Sequence, residues 1–134
     1  IKIIEAELID EKDAEIGERL ISPYLNDPDV KVQAVAAKVL YKYNKILAIH
    51  KLDEMIKSTD FSARIYAVKS LVEITTDESA NLILSLVADS DLNVKREALK
   101  ALLRLKSKKE ISDSIKNEIE NILQKVKSEG EWII

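Results

Sequence analysis

The sequence predicts an all-α fold: an α–α superhelix of about seven to eight helices in stacked antiparallel pairs. Three observations carry this expectation. A stretch of about sixteen residues recurs three times, placing Asp29, Asp60 and Asp91 in register 31 residues apart, followed by Ala36, Ala67 and Ala98 and then by Leu40, Leu71 and Leu102. A fixed period in the range of ~20–50 residues marks stacked supersecondary units. The chain holds two Gly and two Pro in 134 residues, so little interrupts helix. Apolar residues recur at helical spacing through nearly the whole length.

The elements follow in order within a single domain, 1–134. Residues 1–9, shifted by one period, align with 32–40, so 1–10 reads as an N-terminal cap or partial repeat. Repeats are expected at 11–44, 45–75 and 76–106. In the first, Ile16, Leu20, Ile21 and Leu25 mark a helix over about 13–25, with Gly17 inside it and Pro23 expected to bend it. Asn26 to Asp29 form a turn. Asp29 is the expected N-cap of a helix over about 30–42, with Val32, Val35, Ala36, Val39 and Leu40 inward. The second repeat places helices at about 45–58 and 61–74, the latter capped by Asp60 and packing through Ala63, Ala67, Val68 and Leu71. In the third, Thr75 and Glu78 have capping-box spacing, and Asp91 caps a helix over 92–106 with Val94, Ala98, Leu99 and Leu102 inward. Ser107 and Glu110 repeat the box spacing ahead of a C-terminal capping helix in 107–128, expected from about 110 to 127. A tail, 129–134, ends in Trp132, Ile133 and Ile134, a group that either folds back over the stack end or docks elsewhere.

Composition narrows the class. Hydrophobic residues at 46% suffice for a core, which must be aliphatic because aromatics make up only 4%. The absence of Cys removes disulfide and thiolate–metal chemistry and suits a cytoplasmic protein. No apolar run approaches the ~18 residues of a membrane span, so no membrane partner is expected. Abundant Ile, Lys and Glu with scarce Gln give a thermophile-like bias. The net charge of −3 hides an acidic start, a basic middle over 31–109 and an acidic end.

The residues Asp27-Pro28-Asp29, then Val32, Gln33, Ala36 and Leu40, resemble a HEAT repeat. The resemblance is closest to the short HEAT-like class first noted in phycobilisome lyases. The third copy matches best, through Asp89, Asp91, Val94, Lys95, Ala98 and Leu102. In the second, Ser58 and Ala63 depart from the pattern while Arg64 keeps it. Gln33 replaces Arg in the first, so a ladder of Asp–Arg pairs along the stack is expected to be incomplete. The resemblance covers about residues 11–106 and implies a scaffold whose second helices line a concave side. It names no partner.

The Asp29/Asp60/Asp91 column is explained by helix capping, and stacked helices ~8–10 Å apart cannot share one cation through it. His50 is the only His, which excludes a multi-His metal site. No Gly-rich phosphate loop exists. No catalytic residue, metal or cofactor is therefore expected. Lys38, Lys69 and Lys100 form a column that capping and packing do not require. It is expected on the concave face with Lys31 and Arg96 nearby and an adjacent apolar column of Tyr41, Val72 and Leu103. The leading expectation is a non-catalytic scaffold that binds a protein partner there. The alternative is a nucleic-acid-binding module using the basic stripe. The third is an enzyme accessory or lyase-like HEAT protein. A homo-oligomer through the stack ends is a further option.

Overall fold

A computed structural model of the 134-residue chain describes residues 11–130. The expected helix at 1–9 and the tail residues Trp132, Ile133 and Ile134 lie outside the described residues. Seven α-helices and one 3₁₀ turn make up the described part, with no strand among those residues. They are α1 (Glu11–Ile21), the 3₁₀ turn (Ser22–Asn26), α2 (Val30–Leu40), α3 (Lys45–Ile56), α4 (Phe61–Ile74), α5 (Asp77–Leu84), α6 (Leu92–Leu105) and α7 (Asp113–Ser128).

The helix starts obey the capping expectation. Asp29 Oδ1 accepts from the Lys31 amide at 2.9 Å, Asp60 Oδ1 from Ser62 at 2.9 Å, and Asp91 Oδ1 from Asn93 and Val94 at 2.9 and 3.0 Å. Each satisfies an amide that the first helical turn leaves free. Asn44, which the sequence did not single out, does the same for α3 through Leu47.

Several boundaries differ from expectation, each for a local reason. Pro23 ends α1 rather than bending it. The helix stops at Ile21, and Pro23 falls in the first positions of the 3₁₀ turn, where its missing N–H costs nothing. The capping box before α5 is Thr76 with Ser79, not Thr75 with Glu78: the Thr76 hydroxyl accepts from the Ser79 amide, and Ser79 Oγ accepts from the Thr76 amide. Thr75 instead closes α4 in the left-handed region at φ 57°. That conformation is unfavourable for a β-branched residue. Its hydroxyl donates to the Val72 carbonyl at 2.8 Å, satisfying one acceptor that the helix end frees. The box spacing at Ser107 and Glu110 is unused. Helix α7 starts later, capped by Ser112, because Ile111 is buried ahead of it.

Packing builds two layers. The second helices α2, α4 and α6 stack side by side, and α3 and α5 pack behind them, with α7 against α5 and α6. Leu40, Leu71 and Leu102 are fully buried, so truncating any of them to Ala costs ~2–5 kcal/mol. Ala67 and Ala98 are also fully buried and Ala36 nearly so, which lets neighbouring backbones approach. The expected inward set of α2 needs correction. Ala34, Ala36, Ala37 and Leu40 are buried, whereas Val35 and Val39 are 43% and 38% exposed. Val35 and Val39 lie on the flank of α2 that no second helix covers among the described residues, while Ala34 and Ala37 pack towards neighbouring helices.

Gly17 has a tertiary cause. A Cβ there would meet the Tyr43 ring at 2.5 Å, so only Gly lets the aromatic lie against α1. Inside a helix Gly otherwise costs ~1 kcal/mol relative to Ala.

Candidate functional site

The 31-residue period carries one exposed position per turn down the second-helix layer, and the structure sorts the candidate residues by it. Lys69 on α4 and Lys100 on α6 border a single groove between those two helices, of about 340 Å³, with Val68, Val72 and Ala101 along it. Glu73, Glu97 and Arg104 complete the lining. Lys38 occupies the equivalent place on α2, where it is half-buried.

The charges in this groove alternate. Lys100 Nζ lies 3.5 Å from Glu97, and Arg104 reaches across from α6 to Glu73 of α4 at 3.2 Å. Both pairs are about half exposed on the basic side, so each contributes ~0–1 kcal/mol to stability. Their main effect is to fix where the charges stand. Lys69 has an aromatic neighbour instead: its Nζ lies 5.7 Å from the centre of the Tyr66 ring. That contact is within cation–π range, about ~0.5–1 kcal/mol at an exposed site. The ring orients the ammonium, which has three N–H donors.

Lys31, Tyr41, Leu103 and Arg96 are not brought to this groove. Lys31 stands at the N-terminal end of the stack, beside Tyr24, Val35 and Val39. Tyr41 is half-buried against the core, with Lys45 Nζ 5.6 Å from its ring centre. Leu103 is likewise half-buried, and Arg96 is partly buried with an Nε that finds no partner among the described residues. Val72 is buried, so the expected exposed apolar column of Tyr41, Val72 and Leu103 is corrected: its members are largely used by the core. The helix arc that Val72 occupies faces α6, and the neighbouring helix takes the area a partner would have needed.

Glu73, Glu97 and Arg104 were missed by the sequence reading. Their columns, Lys42/Glu73/Arg104 and Val35/Tyr66/Glu97, obey the same period. A search for columns of one residue type passes over them because each changes chemistry from repeat to repeat.

The repeats are also joined by one buried ion pair. Arg64 of α4 donates through Nε to Asp89 Oδ2 at 2.9 Å and through a terminal nitrogen to Oδ1 at 3.1 Å, while its other terminal nitrogen donates to the Ser58 carbonyl at 2.7 Å. Gln33 copies the backbone half of this arrangement, donating to the Asp27 carbonyl at 2.6 Å. The rung between the first two repeats is absent on both sides, since Gln33 stands in place of Arg and Ser58 in place of Asp. The incomplete ladder expected from the sequence is thus found.

Among the described residues no helix is long and apolar enough to cross a membrane. Comparison with curated proteins and with solved structures yields no match. A family model for HEAT repeats matches residues 49–113, which run from within α3 to the start of α7. Over that stretch the paired helices, the 31-residue register, the Asp caps, the small-residue contacts and the Arg–Asp rung are thus those of HEAT repeats, and the described residues stack as an α–α solenoid.

Proposed function

We propose that this chain is a non-catalytic interaction module that holds a protein partner on the exposed face of its second-helix layer. HEAT repeats commonly mediate protein interactions, and solenoid stacks present extended faces suited to them. The observation that carries the reading is the groove between α4 and α6. It sets Lys69, Lys100 and Arg104 above a floor of buried Val68, Val72 and Ala101, with Glu73 and Glu97 interspersed.

This pattern suits a peptide or helix that bears acidic groups at the spacing of these cations. Carboxylates of the ligand would meet Lys69 and Lys100, with Lys38 extending the line towards α2. The interspersed Glu73 and Glu97 would reject a ligand of unbroken negative charge, because a like charge set beside them costs energy. Phosphate tracking needs an unbroken basic surface, so the same alternation favours a protein over nucleic acid.

The test is charge reversal of Lys38, Lys69 and Lys100 to Glu in the full chain, followed by affinity capture from the native source. Loss of the co-purifying protein with an unchanged melting temperature is expected. Unchanged capture would overturn the reading. A gel shift with nucleic acid that weakens steeply with salt would transfer the face to the nucleic-acid alternative.

A further inference from the structure

Each second helix in the stack has two flanks, one towards the preceding second helix and one towards the following. The Ser70 hydroxyl of α4 donates to the Ala34 carbonyl of α2 at 2.7 Å, so position 70 faces backwards and position 34 forwards. In α6 the backward flank carries Glu97, Ala101 and Arg104, which border the groove shared with α4. One period earlier these are Tyr66, Ser70 and Glu73, and one period before that Val35, Val39 and Lys42. Ser70 and Ala101 are each 4% exposed, whereas Val39 is 38% exposed. The backward flank of α2 is therefore uncovered among the described residues. It carries Val35 where α6 carries Glu97. Ile21, Tyr24, Val32, Val35, Ala36 and Val39 line an open groove of about 370 Å³ there, rimmed by Lys31. Burying such a strip is favourable at ~25 cal/mol per Å² of apolar surface, so a segment with apolar side chains gains by covering it.

We propose that residues 1–9 of this chain cover that flank, in the place of a second helix one period before α2. The register selects them. Shifted by 31, Ile3 falls on Ala34 and Ile65, and Ala6 falls on Ala37 and Val68. These are forward-facing positions: Ala34 is met by Ser70, and Val68 borders the groove with α6. In that register Ile3 and Ala6 would bring apolar side chains to Val35 and Val39. Connection is short as well, because residue 9 is followed almost at once by α1, which packs on the 3₁₀ turn and on α2. A second copy of the chain is a poorer occupant. The forward flank of α6, which it would have to offer in a continued stack, includes Leu99, already fully buried.

The chain has no Cys, so engineered thiols report without interference. The contact between positions 34 and 70, moved back one period, pairs Ile3 with Val39. In the full chain, Ile3→Cys with Val39→Cys should form an intramolecular disulfide on mild oxidation, read as a faster-migrating monomer on a non-reducing gel and by mass spectrometry of the linked peptides. Lys2→Cys with Val39→Cys, one residue out of register, should link at least about tenfold more slowly. A second readout needs no bond geometry. A thiol at Val35→Cys should be labelled slowly in an otherwise native chain, and about tenfold faster when Ile3→Asp and Ala6→Asp are added. Linked dimers in place of linked monomers would assign the flank to a second copy and overturn the proposal. Equal rates for the two disulfide pairs, or equal labelling in the two backgrounds, would overturn it as well.

Discussion

Arg64 ties two repeats together at a site where both ions are mostly out of water, with side-chain exposures of 13% and 9% for Arg64 and Asp89. A buried pair adds little over a well-packed apolar pair, but removing one member strands the other. Arg64→Ala is therefore expected to lower stability by ~3–5 kcal/mol, read by urea unfolding. Arg64→Lys should recover only part, because an ammonium cannot hold both carboxylate oxygens and the Ser58 carbonyl in one planar fork. Asp89 also accepts from the Asp91 amide at 2.9 Å, so its carboxylate serves the turn and the rung together. The gap in this ladder was legible in the sequence, since it follows from Gln33 and Ser58 standing in register with Arg64 and Asp89. The role of Gly17 was not legible: it depends on Tyr43, which no local pattern connects to it. Lys69 and Lys100 could be placed in one column from the period alone. The burial of Val72 could not, because it reflects how closely α6 approaches α4.

Two carboxylates fix the C-terminal helix to the stack. Asp77, at the start of α5, accepts from the Ser112 amide at 2.9 Å, and Ser112 in turn caps α7. The Ser112 amide, and then its hydroxyl, hold the Asp77 carboxyl below its ordinary value of 3.8. Glu120 of α7 is held low first by Gln124 and then by Lys106 of α6, whose Nζ lies 3.6 Å away. A depressed folded-state value means that the stabilisation is complete above the unfolded value and is lost as pH falls through the folded one. Acid should therefore loosen α7 below about pH 4. Asp77→Asn should lower the melting temperature at neutral pH, and the gap from the native chain should shrink below about pH 4. A gap that stays constant down to pH 2 would contradict the linkage. Element existence was legible throughout the described residues, while the start of α7 was not. Capping-box spacing at Ser107 and Glu110 competed with the burial of Ile111, and tertiary packing decided where the helix begins.

A solenoid of this size has a middle and two ends, and its stability is roughly a sum of unit and neighbour terms. Helix α4 is the middle: α2 and α6 cover its flanks, and α3 and α5 back it. It buries Ala63, Ala67, Val68, Ser70, Leu71 and Val72. Helix α1 buries no residue, and Leu20 is 66% exposed on it. Amide exchange should accordingly be slowest in α4 and fastest in α1, with α2 and α6 between them. Leu71→Ala should lower protection across α2, α4 and α6 together, by the ~2–5 kcal/mol of a core truncation. Leu20→Ala should change protection by less than ~0.5 kcal/mol anywhere. Uniform protection from α1 to α7 would mean that the neighbour terms are strong enough to make the stack one cooperative unit. A gradient, by contrast, leaves α4 and α6 as the most rigid neighbours in the stack. That is the condition for the groove between them to hold Lys69, Lys100 and Arg104 at fixed spacing, so that less ordering cost would fall on binding of the proposed partner.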